Sequence, residues 1–461
     1  MPNIIKYKKL SKYSVKSDKK RNTKRIAYNL KKYKKSIRGG SCEAYKQVNM
    51  LNINNNKKTE YEIYTILLKN CPELNDCKAF GINIKLINSF FKHFTTFEYL
   101  IGNITDIGDG QNSIIKQLKY TRLILTTYAV FKSALSNTSD NLMYEYEVGK
   151  YINKQLIFFP CFIETYGLFK FNNNAAMETN KNKEILIKSD NFKKNITHIE
   201  KIDYNIGCSI PENMSILLQH IDAYTLQHFI SVCKKDKEHF FHLIYYDIIC
   251  ILYQVLCPLS VLCETFTHND LHIANILLYK IKNNFYIRYN YYLKDGSVIT
   301  FKSQHIAKII DYGRSFYVDG VNGTETTLQN IKKITKDNSN LSYDSFKDCD
   351  RKHNKTSDHI KIMAFFSFMF TDEIYTKKNL NAHVLEIINK SIAQVSIGIN
   401  VESNFFKYDI NNIDDCCKAL FEYILTYNDN PLYTGHLKSV NIIGDLNVYC
   451  DGREMQFIKT V

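Results

Sequence analysis

The stretch Phe266-Thr267-His268-Asn269-Asp270-Leu271-His272-Ile273-Ala274-Asn275 is the most informative part of the chain. It places the carboxylate of Asp270 five positions before the carboxamide of Asn275, and an apolar segment with strand character follows at 276–280. A second apolar segment ends in Asp311-Tyr312-Gly313. Carboxylate and amide oxygens suit Mg²⁺, and a further carboxylate can orient an attacking hydroxyl. These side chains therefore have the chemistry that phosphoryl transfer requires.

The order and spacing of these residues match a known pattern. His-x-Asp-Leu-x-x-x-Asn-Ile-Leu, followed by apolar residues and Asp-aromatic-Gly, resembles the catalytic loop and the Asp-Phe-Gly motif of the protein-kinase-like superfamily. The resemblance covers about residues 97–390. It implies an α+β fold with two lobes, a small β-rich N-lobe and a larger helical C-lobe, and it implies ATP and Mg²⁺ as cofactors. Asp270 would align the acceptor hydroxyl, His268 would support the loop, and the metal would be bound by Asn275 and Asp311.

An upstream segment with two glycines is the expected phosphate loop. Gly108-Asp109-Gly110-Gln111-Asn112-Ser113-Ile114-Ile115 matches Gly-x-Gly-x-x-Ser-x-Ile, with a serine in place of the third glycine of most kinases. Because glycines let backbone N–H groups approach phosphates, the predicted nucleotide contacts are Gly108, Gly110, Ser113 and Ile115. Taken alone, Gly-Asp-Gly is equally typical of an ordinary turn.

Lys132 follows the phosphate loop at a suitable distance. It ends Tyr128-Ala129-Val130-Phe131-Lys132, which resembles the Val-Ala-Ile-Lys strand. The resemblance implies that Lys132 contacts the α- and β-phosphates of ATP. The alternative is an exposed strand lysine without a ligand.

The lysine of this pattern needs a partner carboxylate on the next helix. The segment 141–152 has helical spacing and carries two candidates, Glu145 and Glu147. We prefer Glu147, because Tyr151 lies one turn further along the same face, which suits an inward-pointing glutamate. Glu145 has only Gly149 at that position and is the alternative.

An apolar strand predicted at 215–221 leads into the hinge between the lobes. The resemblance implies that backbone groups of Gln219, His220 and Ile221 bind adenine there. Residues 225–232 are then expected to form the first helix of the helical lobe.

Three features depart from ordinary protein kinases. Asn269 replaces the arginine that pairs with a phosphorylated activation loop, so we do not expect activation by loop phosphorylation. His272 stands where protein kinases often have a lysine. The 36 positions from Asn275 to Asp311 exceed the usual separation, and a β-hairpin insertion at about 283–305 accounts for the excess.

The chain also lacks an Ala-Pro-Glu motif, since no proline lies between Pro258 and Pro431. Leu-His after Asp270, the long insertion and the missing Ala-Pro-Glu resemble the haspin-like kinases, and Leu-His also resembles aminoglycoside phosphotransferases. Asp358, in a helix predicted from Ser357, resembles the aspartate that braces the catalytic loop. It is equally suited to be a helix N-cap or a first-turn acid.

The net charge of +15 is concentrated at the N-terminus. Residues 1–38 contain fifteen lysines and arginines and one acid, Asp18, so they carry +14 and the remaining residues carry +1. We expect a basic disordered arm at 1–40 that binds nucleic acid or an anionic surface, and a solvated arm without a partner is the alternative. The arm and a bias toward Lys, Asn, Ile and Tyr together resemble the kinase-like proteins of giant DNA viruses.

Thirteen cysteines without a repeated Cys-x-x-Cys spacing predict free thiols in a reducing compartment. No apolar run is long enough for a membrane span, and the N-terminus lacks an apolar signal core. The expected location is therefore intracellular, in the cytoplasm or nucleus of a host cell or in the virion, and not secreted.

Segment boundaries follow from these motifs. Beyond the arm we expect a helical extension at 41–96, an N-lobe at 97–221 with a loop insertion at about 172–205, a C-lobe at 222–390, and a C-terminal helical region at 391–461 ending in a hairpin. The expected activity is phosphoryl transfer from ATP to a hydroxyl, with protein Ser/Thr as the acceptor. A small-molecule phosphotransferase of the aminoglycoside or choline-kinase type and a non-catalytic kinase-like scaffold are the alternatives.

Overall fold

The computed structural model describes residues 58–109, 113–135, 142–183, 185–202, 213–235, 246–282, 285–319, 353–369, 382–392, 406–430 and 434–460. The predictions for the basic arm and for Gly110 lie outside the described residues. The chain from Glu60 to Val461 belongs to one compact unit.

Among the described residues before the first sheet, three α-helices lie within the segment predicted as a helical extension. They are α1 (Glu60–Asn70), α2 (Leu74–Phe80) and α3 (Ile84–Phe90). Acidic residues in the first turn of α1 and Lys69 in its last turn interact favourably with the helix dipole and stabilise the helix. α2 ends at Gly81, whose φ of 78° is a left-handed conformation that glycine adopts without strain.

A disulfide joins the end of α1 to α2. Cys71 and Cys77 are bonded, with 5.8 Å between their Cα atoms. The prediction of free thiols is therefore wrong for this pair, because the turn between the two helices brings together cysteines whose spacing matches no common motif. Among the described residues, eight other cysteines are free thiols, and all but Cys233 are buried.

Seven strands form the first sheet, in the order β5-β1-β2-β3-β7-β4-β6. They are β1 (Leu100–Asp109), β2 (Ser113–Arg122), β3 (Leu125–Ala134), β4 (Thr165–Phe171), β5 (Ile187–Lys188), β6 (Ile196–His198) and β7 (Met214–Gln219). All the strand pairs are antiparallel. Because side chains alternate along a strand, Thr127, Ala129 and Phe131 of β3 are buried on one face while Lys132 lies on the other.

The helix between β3 and β4, α4 (Leu142–Asn153), approaches the sheet very closely. A Cβ atom at Gly149 would overlap the side chain of Thr165 on β4. Only glycine permits this approach, so the face of α4 that carries Gly149 is the face turned toward the sheet.

The segment after β4 is not the loop insertion predicted at 172–205. It contains α5 (Asn174–Lys181) and α6 (Ser189–Lys194), and β5 and β6 extend the sheet at its two edges. Met177, Phe192 and Ile196 are buried and belong to the hydrophobic core beneath this sheet. Each short element has only one or two apolar anchors, which is why its composition appeared to be that of a loop.

After β7 helices alternate with short strands. β8 (Tyr224–Thr225) leads into α7 (Leu226–Cys233), as predicted, and Thr225 caps this helix by accepting a hydrogen bond from the backbone N–H of His228. α8 (Ile248–Val261) is buried along most of its length. It belongs to one large core with three further helices, α9 (Ser357–Met369), α10 (Ala382–Ile392) and α11 (Ile413–Tyr427).

Short strands between α8 and α9 position the candidate site. They are β9 (Phe266–Thr267), β10 (Ile276–Lys280), β11 (Phe285–Tyr292), β12 (Val298–Ser303), β13 (His305–Ile309) and β14 (Phe316–Tyr317). β10 lies between β8 and β13, and β9 pairs with β14. β11 and β12 form the predicted hairpin insertion, with Gly296 in its turn at a φ of 81°.

The chain ends in the predicted hairpin, formed by β15 (Asn441–Tyr449) and β16 (Gln456–Lys459). β15 also pairs in parallel with β11, which joins the two hairpins into one four-stranded sheet. The mixed α+β class is therefore confirmed. Within the part of the chain that the structure covers, no helix has both the length and the apolar character needed to cross a bilayer.

Candidate active site

Asp358 braces the loop that carries Asp270. Its Oδ2 accepts a hydrogen bond from the backbone N–H of His268 and its Oδ1 accepts one from Asn269, both at 2.8 Å. Burial raises the pKa of the Asp358 carboxyl, whereas His268 and the two N–H donors oppose the rise. One buried carboxylate in the first turn of α9 thus joins that helix to the loop, as the brace interpretation predicted.

His268 is fully buried and connects two loops. Its Nδ1 accepts from the backbone N–H of Asp270 at 3.3 Å. The ring proton therefore lies on Nε2, which donates to the carbonyl oxygen of Ile310 at 3.0 Å. Both bonds fit the predicted supporting role, since they link the loop at Asp270 to the loop at Asp311.

Two residues in these loops have a left-handed backbone. The φ angles are 62° at Asn269 and 69° at Asp311. Among non-glycine residues, Asn and Asp adopt this region most readily, because their short polar side chains bond locally. Such conformations concentrate at functional sites, which supports the assignment of both loops to a site.

The side chain of Asp270 is partly accessible and lies near two basic groups. Its Oδ2 is 3.9 Å from His272 Nε2 and 3.8 Å from Arg314 Nε. Burial lowers the pKa of His272 despite the opposing charge of Asp270, so the neutral imidazole is favoured. Arg314 is 8% exposed and was absent from the predicted site. Its position directly after Asp-Tyr-Gly was the only signal in the sequence that could have indicated it.

The two predicted metal ligands lie at the ends of neighbouring strands. Asn275 directly precedes β10, and Asp311 is the second residue after the end of β13. The backbone N–H of Ile310 donates to the carbonyl oxygen of Asn275 at 3.0 Å. The Asn275 amide donates through Nδ2 to the carbonyl oxygen of Asp270 at 3.0 Å, which turns its own oxygen away from that carbonyl. Asn275 and Asp311 thus lie on neighbouring segments, and an amide oxygen and a carboxylate are donor types that fit Mg²⁺.

Among the described residues, no group of three His, Cys, Asp or Glu side chains is arranged to hold a metal ion. Mg²⁺ that arrives with a nucleotide needs only one or two protein ligands, because phosphates and water complete its octahedron. The pair Asn275 and Asp311 fits this second kind of site.

Lys132 contacts two carboxylates. Its Nζ lies 2.7 Å from Glu145 Oε2 and 2.9 Å from Asp311 Oδ1. Burial alone would lower the pKa of Lys132, but the charges of Asp311 and Glu145 outweigh it and raise the pKa. Burial likewise disfavours the charged form of Asp311, yet Lys132 reverses the effect and lowers its pKa. Lys132 and Asp311 are therefore both charged at neutral pH.

The preference for Glu147 as the partner of Lys132 is wrong. Glu147 Oε1 instead accepts from Lys150 Nζ of the same helix at 3.0 Å. The physical reason is Gly149, which marks a close approach of α4 to the sheet at Thr165. Glu145 lies one turn before Gly149 on the same face.

The predicted phosphate-loop residues lie in the hairpin of β1 and β2. Ile115 is directly opposite Lys132 in the ladder of β2 and β3, and Gly108 is opposite Ile115 in the ladder of β1 and β2. Ser113 begins β2 and is buried. The hairpin therefore brings Gly108, Ser113 and Ile115 to the end of the sheet that carries Lys132.

The backbone N–H and the side chain of Gln219 are bonded within the fold and do not serve the predicted contact with a nucleotide. Its backbone N–H donates to Glu164 O at 2.8 Å. Its side chain accepts from the backbone N–H of Glu164 at 3.0 Å and donates to the carbonyl oxygen of Lys78 at 2.9 Å. Gln219 is therefore a structural residue that ends β7.

His220 and Ile221 differ in their surroundings. The His220 Nε2 accepts from Gln117 Nε2 at 2.9 Å, and its ring lies 5.6 Å from that of Tyr128, which shares a strand face with Lys132. Burial lowers the pKa of His220 to about 4. The Ile221 side chain is buried in the main core. In the described part of the chain, residues 220–223 belong to no strand ladder.

Residues after Gly313 connect α4 to the loop of Asp270. The Tyr144 hydroxyl on α4 donates to the carbonyl oxygen of Ser315. Ser315 Oγ in turn donates to the carbonyl oxygen of His268 at 3.1 Å. The helix that carries Glu145 and the loop that carries Asp270 are therefore linked through one serine.

No protein-family model matches this chain, and no curated protein is significantly similar to it. The functional interpretation therefore depends on the residues and on their arrangement.

Proposed function

We propose that the protein transfers a phosphoryl group from ATP, with Mg²⁺, to a hydroxyl group, and that the acceptor is a serine or threonine of a protein. The observation that carries the proposal is the meeting of Lys132, Glu145 and Asp311, which come from β3, α4 and the end of β13. Asp270 and Asn275 lie on the adjoining loop. Five side chains of the required chemistry, from four separate segments, thus form one constellation.

The architecture supports the two-lobed arrangement implied by the sequence. An antiparallel sheet with α4 packed against it precedes a region in which the described residues form five α-helices and nine strands. Residues 220–223 connect the two parts. A cleft between them would have Lys132 and the hairpin of β1 and β2 on one side, and Asp270, Asn275 and Asp311 on the other.

The residues have distinct tasks in this proposal. Lys132 would bind the α- and β-phosphates while Glu145 fixes its position, and Asp311 and Asn275 would hold the metal. Mg²⁺, when bound, neutralises phosphate charge as it develops. Asp270 would accept a hydrogen bond from the acceptor hydroxyl and take its proton. Most of the rate enhancement would come from positioning and electrostatic stabilisation.

The test is transfer of labelled γ-phosphate from ATP with Mg²⁺ to a mixed protein substrate, by the wild type and by Asp270→Ala and Asp311→Ala. We expect transfer by the wild type alone, with Asp270→Ala still binding ATP. Wild-type turnover by Asp270→Ala would refute the assignment. Transfer to a panel of aminoglycosides and choline, without transfer to protein, would instead show the small-molecule phosphotransferase. ATP binding without any transfer would show a scaffold.

A further inference from the structure

Helix α2 belongs to neither side of the proposed cleft but contacts both. Lys78, in its last turn, is 2% exposed. Its Nζ donates to the carbonyl oxygen of Tyr128 at 2.7 Å and to Thr127 Oγ1 at 3.1 Å. Both acceptors are on β3, four and five residues before Lys132. The extension thus holds the strand that carries the proposed phosphate-binding lysine.

The same helix also holds the start of the hinge. The carbonyl oxygen of Lys78 accepts from Gln219 Nε2 at 2.9 Å. Gln219 is the last residue of β7, its backbone N–H donates to the carbonyl oxygen of Glu164, and its Oε1 accepts from the backbone N–H of Glu164. Asn88 on α3 donates to the Glu164 carboxylate, so a second helix of the extension reinforces this point.

On the other side of the hinge, α2 contacts β10. The Tyr279 hydroxyl donates to Asp76 Oδ1, and the ring of Phe80 lies 6.4 Å from that of Tyr279. Tyr279 is on the strand that begins directly after Asn275. Phe80 also contacts Phe457 of β16, with 4.9 Å between ring centroids. A single helix of two turns therefore spans from the strand of Lys132 to the strand of Asn275.

We propose that α2 is a brace across the nucleotide cleft and that Asp76, Lys78 and Tyr279 are positioning residues for the reaction. This inference rests on the proposed function. Lys132 and Asn275 must meet the same bound nucleotide, so the separation of β3 and β10 determines whether the site is competent. The hydrogen bond between Asp76 and Tyr279 connects the brace to the far side of the cleft. Neither residue belongs to the proposed ligand-binding groups.

The brace predicts a particular kinetic signature. Without the link, the two sides sample more open arrangements, and only a fraction of molecules is competent to bind. The apparent dissociation constant then rises by the inverse of that fraction, whereas saturating ATP selects the competent state. We expect Tyr279→Phe to raise the KM for ATP about three- to tenfold and to leave kcat within about twofold.

A matched control is available on the same extension. Tyr120 is buried on β2, and its hydroxyl donates to the carbonyl oxygen of Phe94 at 3.3 Å. Tyr120→Phe therefore removes one buried tyrosine hydroxyl that joins the extension to the first sheet without crossing the cleft. Its KM for ATP should equal that of the wild type.

A second pair of variants tests the acceptor. Asp76→Asn keeps an oxygen that accepts from the Tyr279 hydroxyl, so its KM should stay near that of the wild type. Asp76→Leu loses the acceptor and should behave like Tyr279→Phe. A merely structural role would lower the melting temperature in both tyrosine variants and would give no difference in KM between them.

The experiment measures KM and kcat for ATP, together with the dissociation constant of a fluorescent ATP analogue, in the full chain. An unchanged KM in both Tyr279→Phe and Asp76→Leu, or an equal rise in Tyr120→Phe, would overturn the brace while leaving the kinase assignment intact. If the wild type neither transferred phosphate nor bound the analogue, the proposed function would fail, and the brace would fail with it.

Discussion

The pairing of Lys132 with Glu145 gives the sharpest test of the site, because α4 offers a matched control two residues away. The Lys132 Nζ lies 2.7 Å from Glu145 Oε2, and the two side chains are 9% and 2% exposed. The Glu147 carboxylate pairs with Lys150, whose side chain is 50% exposed. Glu145→Gln and Glu147→Gln thus make the same chemical change on one helix, in a buried pair and in a partly solvated one.

The expected magnitudes differ widely. Removal of one partner from a buried ion pair costs about 3–5 kcal/mol when the remaining charge is left alone. Lys132 keeps Asp311 at 2.9 Å, so the lower end of that range applies. Lys132 would then turn toward Asp311 and away from the phosphates, and a displacement of about 1 Å costs roughly 100-fold in rate. We expect kcat/KM to fall about 100-fold in Glu145→Gln, equivalent to about 2.7 kcal/mol.

Glu147→Gln should change kcat/KM less than about twofold, because the ion pair that it removes lies within one helix, is half exposed at Lys150 and does not include Lys132. The assay is steady-state phosphate transfer at varied ATP, with melting temperatures measured on the same samples. The reasoning would be refuted if Glu147→Gln were the more damaging change, or if both variants lost activity equally with equal losses of stability.

Three further predictions concern groups that the sequence did not explain or that lie outside the described residues. Burial lowers the pKa of Lys78 to about 7, and the charge of Glu164 opposes this shift. Burial raises the pKa of Glu164 to about 7, and the hydrogen bond from Asn88 and the charge of Lys78 oppose that shift. From about pH 4.5 to 7, Glu164 makes the native state bind more protons than the unfolded chain, so the free energy of unfolding should fall as the pH rises. From about pH 7 to 10.5, Lys78 makes the native state bind fewer protons, so the free energy of unfolding should rise with pH. In urea unfolding at varied pH, Glu164→Gln should lose the fall in the free energy of unfolding, and Lys78→Met should lose the rise. Identical pH profiles in the wild type and both variants would contradict these assignments. Arg314→Leu should lower kcat about tenfold, because it removes the cation 3.8 Å from Asp270, and Arg314→Lys should partly restore kcat. An unchanged kcat in Arg314→Leu would exclude a contribution of Arg314 to catalysis. Deletion of residues 1–38 removes +14 of the net charge, so it should abolish salt-dependent DNA binding and preserve phosphate transfer, whereas unchanged DNA affinity would exclude the arm as the binding element.

The features that the sequence predicts correctly depend on neighbours along the chain. The turn at Gly296 between two apolar strands is a local hairpin signal, and β11 and β12 pair as expected. The helical spacing and turn signals of the extension and of the C-terminal hairpin are local in the same sense. The loops at Asp270 and Asp311 could be proposed as a site from the sequence because each contains its candidate residues within a few positions.

The features that it does not predict depend on contacts between distant segments. The parallel pairing of β15 with β11 joins strands about 150 residues apart, and nothing in either strand specifies that partner. The choice between Glu145 and Glu147 required the contact of Gly149 with Thr165. Lys78 is one of many lysines in the chain until the fold places it beneath β3. Tertiary packing determines these features, so the local periodicity of the sequence cannot predict them.

Asn269 stands where the protein kinases that the sequence resembles have an arginine, and these contacts give that difference a physical meaning. A charged pair with a phosphorylated loop is one way to hold the catalytic loop and the glutamate-bearing helix in register. Here a series of buried hydrogen bonds joins the same parts: the Tyr144 hydroxyl donates to Ser315, the Ser315 hydroxyl donates to His268, and the His268 backbone N–H donates to the carboxylate of Asp358. Because Ser315 and His268 are fully buried, displacement of α4 would leave unpaired polar groups in the core. That cost couples the position of Glu145 to the position of Asp270 without any added phosphate.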